Sequence, residues 1–184
     1  MNTLKLLLLF FILLLTPNTF AKGVGRETGL TIPRFVTLKS TEVNLRKGPG
    51  KKYKTIYIYK CLGYPVEVIA EFSNWRKIRD KDNTEGWLHE GLITGRRNVI
   101  IIGNKILSRK SLLYKIPDFQ AVLFKAPDEN SNIIARVEFN VVAKLMACQK
   151  EWCKISVKDS KTNSIIGWIR KINIWGIKDD EQFK

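Results

Sequence analysis

Histidine is almost absent from this chain: His89 is the only one in 184 residues, beside three cysteines and two methionines. A metal centre of imidazole and thiolate groups needs a cluster of ligands at finger-like spacing, and none stands here. A base that activates a nucleophile needs a third group to orient it. Nothing is placed to do that for Cys61 and His89, and Asp80, Asp82 and Glu85 share one loop that flanks no histidine. The phosphate cradle Gly-x-x-x-x-Gly-Lys-Ser/Thr is missing, and no stretch carries a sustained helical period. The expectation is a chain with no catalytic constellation, no cofactor and no metal.

Long apolar runs are also scarce. The longest is Leu6 to Leu15, preceded by Lys5 and followed by Thr19-Phe20-Ala21. Ten apolar residues are too few for a membrane-spanning helix, which needs about 20. The pattern fits a cleaved export signal over 1–21, with an uncleaved anchor as the alternative. No cysteine lies near the cleavage region, so nothing supports a lipoprotein.

Acid is in short supply, with 17 acidic residues against 32 lysines and arginines and a formal net charge of +15. The excess is spread evenly: residues 34–98 hold fourteen cations against seven acids, and residues 99–184 fifteen against nine. Such a field attracts polyanions loosely. For an exported chain those are envelope polymers and anionic envelope surfaces, not nucleic acid.

What the chain has is a repeat. Asn74-Trp75-Arg76-Lys77-Ile78 with Gly86-Trp87 returns as Glu151-Trp152-Cys153-Lys154-Ile155 with Gly167-Trp168. Trp75 to Trp152 and Ile78 to Ile155 are both 77 residues, whereas Trp87 to Trp168 is 81. A fixed internal period means a tandem architecture, and the difference places a four-residue insertion in one loop of the second copy. Short β-branched and aromatic runs alternate with turn formers: Phe35-Val36-Thr37-Leu38, Val43-Asn44-Leu45, Lys47-Gly48-Pro49-Gly50, Thr55 to Tyr59, Val66 to Glu71. That spacing argues for small all-β units. Ala121 to Asp128 stands for Val43 to Gly50, and Asn140 takes the place of Gly63. The boundaries read as a signal over 1–21, a flexible lead-in over 22–33 and the first repeat over 34–97. A connecting segment with a strand at Val99 to Ile102 follows over 98–113, then a degenerate second repeat over 114–177 and a frayed polar tail over 178–184. Units of this size bury only modest cores, so the copies are expected to lean on one another.

Taken together, Val43-Asn44-Leu45-Arg46-x-Gly48-Pro49, Gly63-x-x-Val66-x-Val68, Trp75-x-Lys77-Ile78 and Gly86-Trp87-Leu88 resemble a bacterial SH3-like (SH3b) domain. The pair is similar to exported alphaproteobacterial proteins made of two such units. The resemblance implies two tandem five- to six-stranded SH3-like barrels in a Gram-negative periplasm. It also implies a binding role toward cell-wall polymer or an envelope protein. The second copy keeps Pro127, Trp152-x-Lys154-Ile155 and Gly167-Trp168-Ile169 and loses the Asn-Leu-Arg and Gly-Pro-Gly signatures.

Candidate site residues follow from strand alternation. If Ile78 and Leu88 face the core, Trp75 and Trp87 face outward, the alternative being aromatics buried under a neighbouring loop. Lys51, Lys52, Tyr53 and Lys54 follow Arg46-Lys47-Gly48-Pro49-Gly50 in a loop suited to phosphates or carboxylates, or simply solvated. His89-Glu90-Gly91-Leu92 lacks the proline and tyrosine of the slot that takes proline-rich peptides. Cys148 and Cys153 flank a four-residue turn, so as cross-strand partners they lie within disulfide range. Glu71 and Arg76 form an opposite-charge pair at the same places in the first copy, and Cys61 is left over as a small hydrophobe, the alternative being a reactive or intermolecular thiol. The expected role is a non-enzymatic binding module of unknown oligomeric state. The alternative is an accessory or targeting subunit of a cell-wall hydrolase acting in trans, since no segment remains for a catalytic domain.

Overall fold

The protein, seen as a computed structural model, is described over residues 23–103, 120–158 and 163–182. The export signal at 1–21, most of the connecting segment and residues 183–184 of the tail lie outside the described residues. The fold is all-β, as the patterning implies. A short hairpin, β1 (Gly23–Val24) with β2 (Thr31–Ile32), precedes the first sheet. That sheet contains β3 (Arg34–Leu38), β4 (Val43–Arg46), β5 (Thr55–Tyr59), β6 (Pro65–Phe72), β7 (Trp75–Arg79), β8 (Glu85–His89) and β9 (Ile93–Thr94). Its spatial order is β5-β4-β8-β7-β6-β3-β9.

The second sheet repeats this order strand for strand. It runs β12-β11-β15-β14-β13-β10-β16, from β10 (Asn98–Ile101), β11 (Gln120–Phe124), β12 (Ile133–Glu138), β13 (Val142–Gln149), β14 (Trp152–Lys158), β15 (Ser164–Arg170) and β16 (Ile174–Trp175). Registers match as well: Val68 pairs with Ile78 as Leu145 pairs with Ile155, and Arg46 with Trp87 as Phe124 with Trp168. Each sheet has seven strands rather than five or six, because a two-residue strand after a 3-10 turn pairs back onto the first strand.

Period-2 alternation builds both cores. In the first, Leu38, Val43, Leu45, Val66, Val68, Ile78 and Leu88 are fully buried. In the second, Ile101, Ala121, Leu123, Leu145, Ile155 and Ile169 hold the matching places, with exposures of 2 % or less. Each such large side chain contributes about 2 kcal/mol of burial free energy. The repeated Gly-Trp is explained by close approach of strands. A Cβ on Gly86 would stand 2.5 Å from Leu45 Cγ, and one on Gly167 2.9 Å from Leu123 Cβ. Gly63 and Asn140 share a left-handed backbone, φ 83° and 63°, which is why asparagine is the substitute.

Several expectations differ from the structure. Val99 to Ile101, expected in a connecting segment, belongs to β10, which pairs with β13 and β16 inside the second sheet. Four apolar residues in a row mark a buried strand but not its partners. The four extra residues of the second copy are not in a loop: five residues separate Arg79 from Glu85 and five separate Lys158 from Ser164. The insertion lengthens the hairpin by the pairs Val157↔Ile165 and Lys158↔Ser164. The lead-in is ordered by Glu71, whose side chain is fully buried. It accepts hydrogen bonds from Glu27 N and Thr28 N at 3.0 Å, Thr28 Oγ1 at 2.7 Å and Arg34 Nη2 at 2.7 Å. The tail is tied down too, for Lys171 Nζ donates to the carbonyls of Asp179 and Glu181 at 2.8 and 2.9 Å.

Candidate functional site on the outer face of the first unit

The tryptophan hairpins point as alternation predicts. Along β7, Arg76 and Ile78 are buried while Trp75, Lys77 and Arg79 are half-buried on the other face. Along β8, Gly86 and Leu88 are buried and Trp87 and His89 are half-buried. Cross-strand pairing sets Trp75 beside His89 and Lys77 beside Trp87. The His89 ring meets the Trp75 indole edge-to-face with centroids 5.6 Å apart, and its Nδ1 accepts from Gly91 N at 3.0 Å. Lys77 pairs with Glu85 at 2.5 Å. Phe72, 56 % exposed, stands opposite Trp75 across the other hairpin. The result is an aromatic surface, with Trp75 and Trp87 on a diagonal.

Arg46 joins this face to the cationic loop. It is the register partner of Trp87, and its Nη1 donates to the carbonyls of Tyr53 at 2.9 Å and Lys51 at 3.3 Å. Tyr53 folds over the turn, where a Cβ on Gly48 would stand 2.6 Å from its ring. Lys52 Nζ lies 5.5 Å from the Tyr53 centroid, a cation-π contact. Lys51, Lys52 and Lys54 are exposed. Arg46, which heads the cationic loop in the sequence, and His89 extend the set of candidate residues. His89 was legible as the next outward position after Trp87, and Arg46 as the residue replaced by Phe124.

The second copy shows what this surface looks like when closed. Phe124 stands where Arg46 does and meets Trp152 edge-to-face at 5.4 Å. Val122, Phe124 and Trp152 are at most 8 % exposed, with Ile133 and Trp168 packed against them. Arg170 caps the Trp152 ring at 5.4 Å. The turn keeps its backbone: Asp128 N to Ala126 O, Ser131 N to Asp128 O and Lys125 N to Asn132 O repeat the bonds of Gly50, Tyr53 and Lys47. Its charge is inverted. Residues 47–54 carry four lysines and no acid, whereas residues 125–132 carry Lys125 against Asp128 and Glu129.

Other chemistry is weakly provided. Cys148 and Cys153 are cross-strand partners joined by a disulfide with a Cα separation of 4.1 Å. Glu71 and Arg76 are also register partners, 3.7 Å apart, but Arg76 makes a closer pair with Glu90 and donates to Ser73 O at 2.6 Å. Burial pushes the Cys61 thiol upward, away from nucleophilic activation. Burial, then the neighbouring Asp80 charge, also raises Tyr59, whose hydroxyl donates to Asp80 at 3.0 Å. Among the described residues no three of His, Cys, Asp and Glu form a metal-binding group. A cleft of about 250 Å³ between the units is lined by Lys81, Asp82, Ile102, Phe139, Asn140 and Trp175. Its two charges pair with one another at 2.8 Å.

The model of the bacterial SH3 domain matches residues 39–95 and 119–176. No curated protein matches. Among solved structures, NlpC2 from Trichomonas vaginalis is 13% identical over 78% of this chain and 48% of its own, with a TM-score of 0.32. NlpC1 from the same organism is 11% identical over 82% and 48%, at 0.33. An NlpC/P60 family protein from Bacillus cereus is 13% identical over 77% and 55%, at 0.31. The chain thus spans about half the length of the structures it matches.

Proposed function

Since this chain belongs to the bacterial SH3 domain family in two tandem copies, we propose that it is a non-catalytic binding module of the cell envelope whose first unit does the recognising. Trp75 and Trp87 offer an apolar platform for a sugar ring or a peptide side chain. Lys51, Lys52 and Lys54 supply positive charge at its border for phosphates or carboxylates, and Tyr53 and Arg46 hold that loop in shape. One comparison carries the reading: the same turn is cationic in the first copy and acidic in the second, and the first tryptophan of the hairpin is half-buried as Trp75 but sealed as Trp152, while Trp87 and Trp168 are half-buried alike. The second copy is then a structural companion. Export to the periplasm is part of this proposal, because envelope polymers are the polyanions a cationic exported chain meets.

The test is retention of residues 22–184 on purified cell-wall sacculi. Trp75→Ala and Lys52→Ala each weaken retention, Lys125→Ala leaves it unchanged, and the lysine effect fades as salt rises. Failure of the unaltered protein to be retained refutes wall binding and leaves an envelope protein as the ligand. A loss of retention in Trp168→Ala as large as that in Trp87→Ala refutes the division of roles.

A further inference from the structure

Four strands form the edges of the two sheets among the described residues: β5 and β9 in the first, β12 and β16 in the second. An edge presents a row of unpaired N–H and C=O groups, and proteins blunt it by shortness or charge. Three edges here are blunted. β9 and β16 are two residues long, and β12 carries the exposed Arg136 and Glu138.

β5 is not blunted. Its residues Thr55-Ile56-Tyr57-Ile58-Tyr59 include no charge, and Ile56, Tyr57 and Ile58 are 47, 49 and 45 % exposed. Its ladder partner among the described residues is β4 alone. The two faces of the strand differ usefully. Ile58 lies beside Asn44, and Tyr57 meets Tyr59 edge-on with centroids 4.8 Å apart. An added strand would therefore meet an aliphatic contact on one side and an aromatic one on the other.

Charge decides what fits. Lys51, Lys52 and Lys54 precede β5 and Lys60 follows it, all exposed, and no acid occurs from Lys47 to Val66. A second copy added antiparallel about Tyr57 would set Lys54 of each chain opposite Lys60 of the other. A parallel in-register copy would face every lysine with itself. Like charges directly opposite destabilise a ladder, so the lysines repel self-pairing and favour carboxylates.

We propose that β5 is a docking edge for an extended acidic segment of a partner protein, which joins the first sheet as an eighth strand. Main-chain hydrogen bonds hold the segment, and its carboxylates sit against Lys54 and Lys60. This contact is separate from the Trp75 and Trp87 face and does not depend on it.

The probe is the peptide acetyl-Glu-Val-Thr-Val-Thr-Val-Glu-amide, whose glutamates have the spacing of Lys54 and Lys60, titrated into residues 22–184 and followed by isothermal titration calorimetry. It binds, with affinity falling as salt is raised. The same peptide ending in lysines binds at least about tenfold more weakly. Of two versions N-methylated on alternate amides, the one methylated toward β5 loses binding and the other keeps it. Hydrogen exchange slows at β5. Ile58→Lys, at an exposed position that leaves the core untouched, weakens binding about tenfold, and Trp75→Ala leaves it intact. Absence of binding, equal affinity of the two methylated forms, slowed exchange confined to another strand, or dimerisation through β5 would each overturn the proposal. Loss of sacculus retention by Trp75→Ala with peptide binding intact separates this site from the wall-binding reading.

Discussion

Glu71 and Cys148 hold equivalent positions in the two hairpins but serve different ends. Cys148 closes its own hairpin covalently. Glu71 turns instead toward the lead-in, and its carboxylate serves Thr28, Glu27 and Arg34. Burial alone would raise its pKa, but the hydrogen bonds from Thr28 and Arg34 outweigh it and hold the group down to about 2 against an ordinary 4.5. A carboxyl depressed in the folded state contributes stability in full above its unfolded pKa, and loses it as pH falls toward the folded value. Thermal melts should therefore show the contribution intact above about pH 4.5 and lost between there and about pH 2. Glu71→Gln flattens that part of the profile and costs about 3 kcal/mol at neutral pH, because Arg34 and Arg76 are left without their buried partner. The tryptophans give a second contrast. Trp152→Ala empties a packed cluster and costs about 3–5 kcal/mol. Trp75→Ala removes a half-buried ring and costs about 1 kcal/mol. Urea midpoints at constant slope measure both.

At the scale of the element, each Trp-x-Lys-Ile hairpin is locked twice, once at its tip and once where it passes the neighbouring strand. In the second copy the tip is the disulfide. It closes a loop of six residues, and reduction should lower stability by about 2 kcal/mol by restoring chain entropy to the unfolded state, seen as a lower melting temperature in dithiothreitol for the unaltered chain but not for a Cys148→Ser variant. The neighbouring strand explains the conserved shape of Gly-Trp within this chain. Gly86→Ala forces a methyl against Leu45 and the Arg46 carbonyl, which lies 2.9 Å from the new Cβ. The expected cost is about 2 kcal/mol. Because Arg46 also shapes the cationic loop, the same variant should perturb binding through that loop while Trp75 stays in place.

At the scale of the molecule, neither unit stands alone. Phe35 of the first meets Trp175 of the second edge-to-face at 5.0 Å, with the Arg97 guanidinium 5.9 Å from the Phe35 ring. Asn98 Nδ2 donates to Gly63 O at 2.8 Å, and Lys178 Nζ donates to the Pro33 carbonyl. Arg97 in turn holds Gly176 O at 2.9 Å and the Glu181 carboxylate. Units of about 65 residues are marginal by themselves, so this contact matters to both. Trp175→Ala should cost about 3 kcal/mol and separate one calorimetric transition into two. A single transition with unchanged midpoint would show that the units do not depend on each other.

The residues that alternation governs were legible in advance. Ile78 and Leu88 face the core and Trp75 and Trp87 face out because a strand's period of two is local, and Cys148 meets Cys153 because four intervening residues on a tight hairpin leave them opposite one another. The second unit's likeness to the first was legible for the same reason, as short motifs in order. What only the tertiary structure decided were long-range choices. Val99 finds Ala143 across 44 residues, and Glu71 is claimed by Thr28 and Arg34 rather than by Arg76. Whether the first tryptophan of the hairpin is half-open or sealed depends on the side chain that strand pairing brings to this face: Arg46 in one unit, Phe124 in the other. No local pattern contains that information, because it is a property of which strands become neighbours.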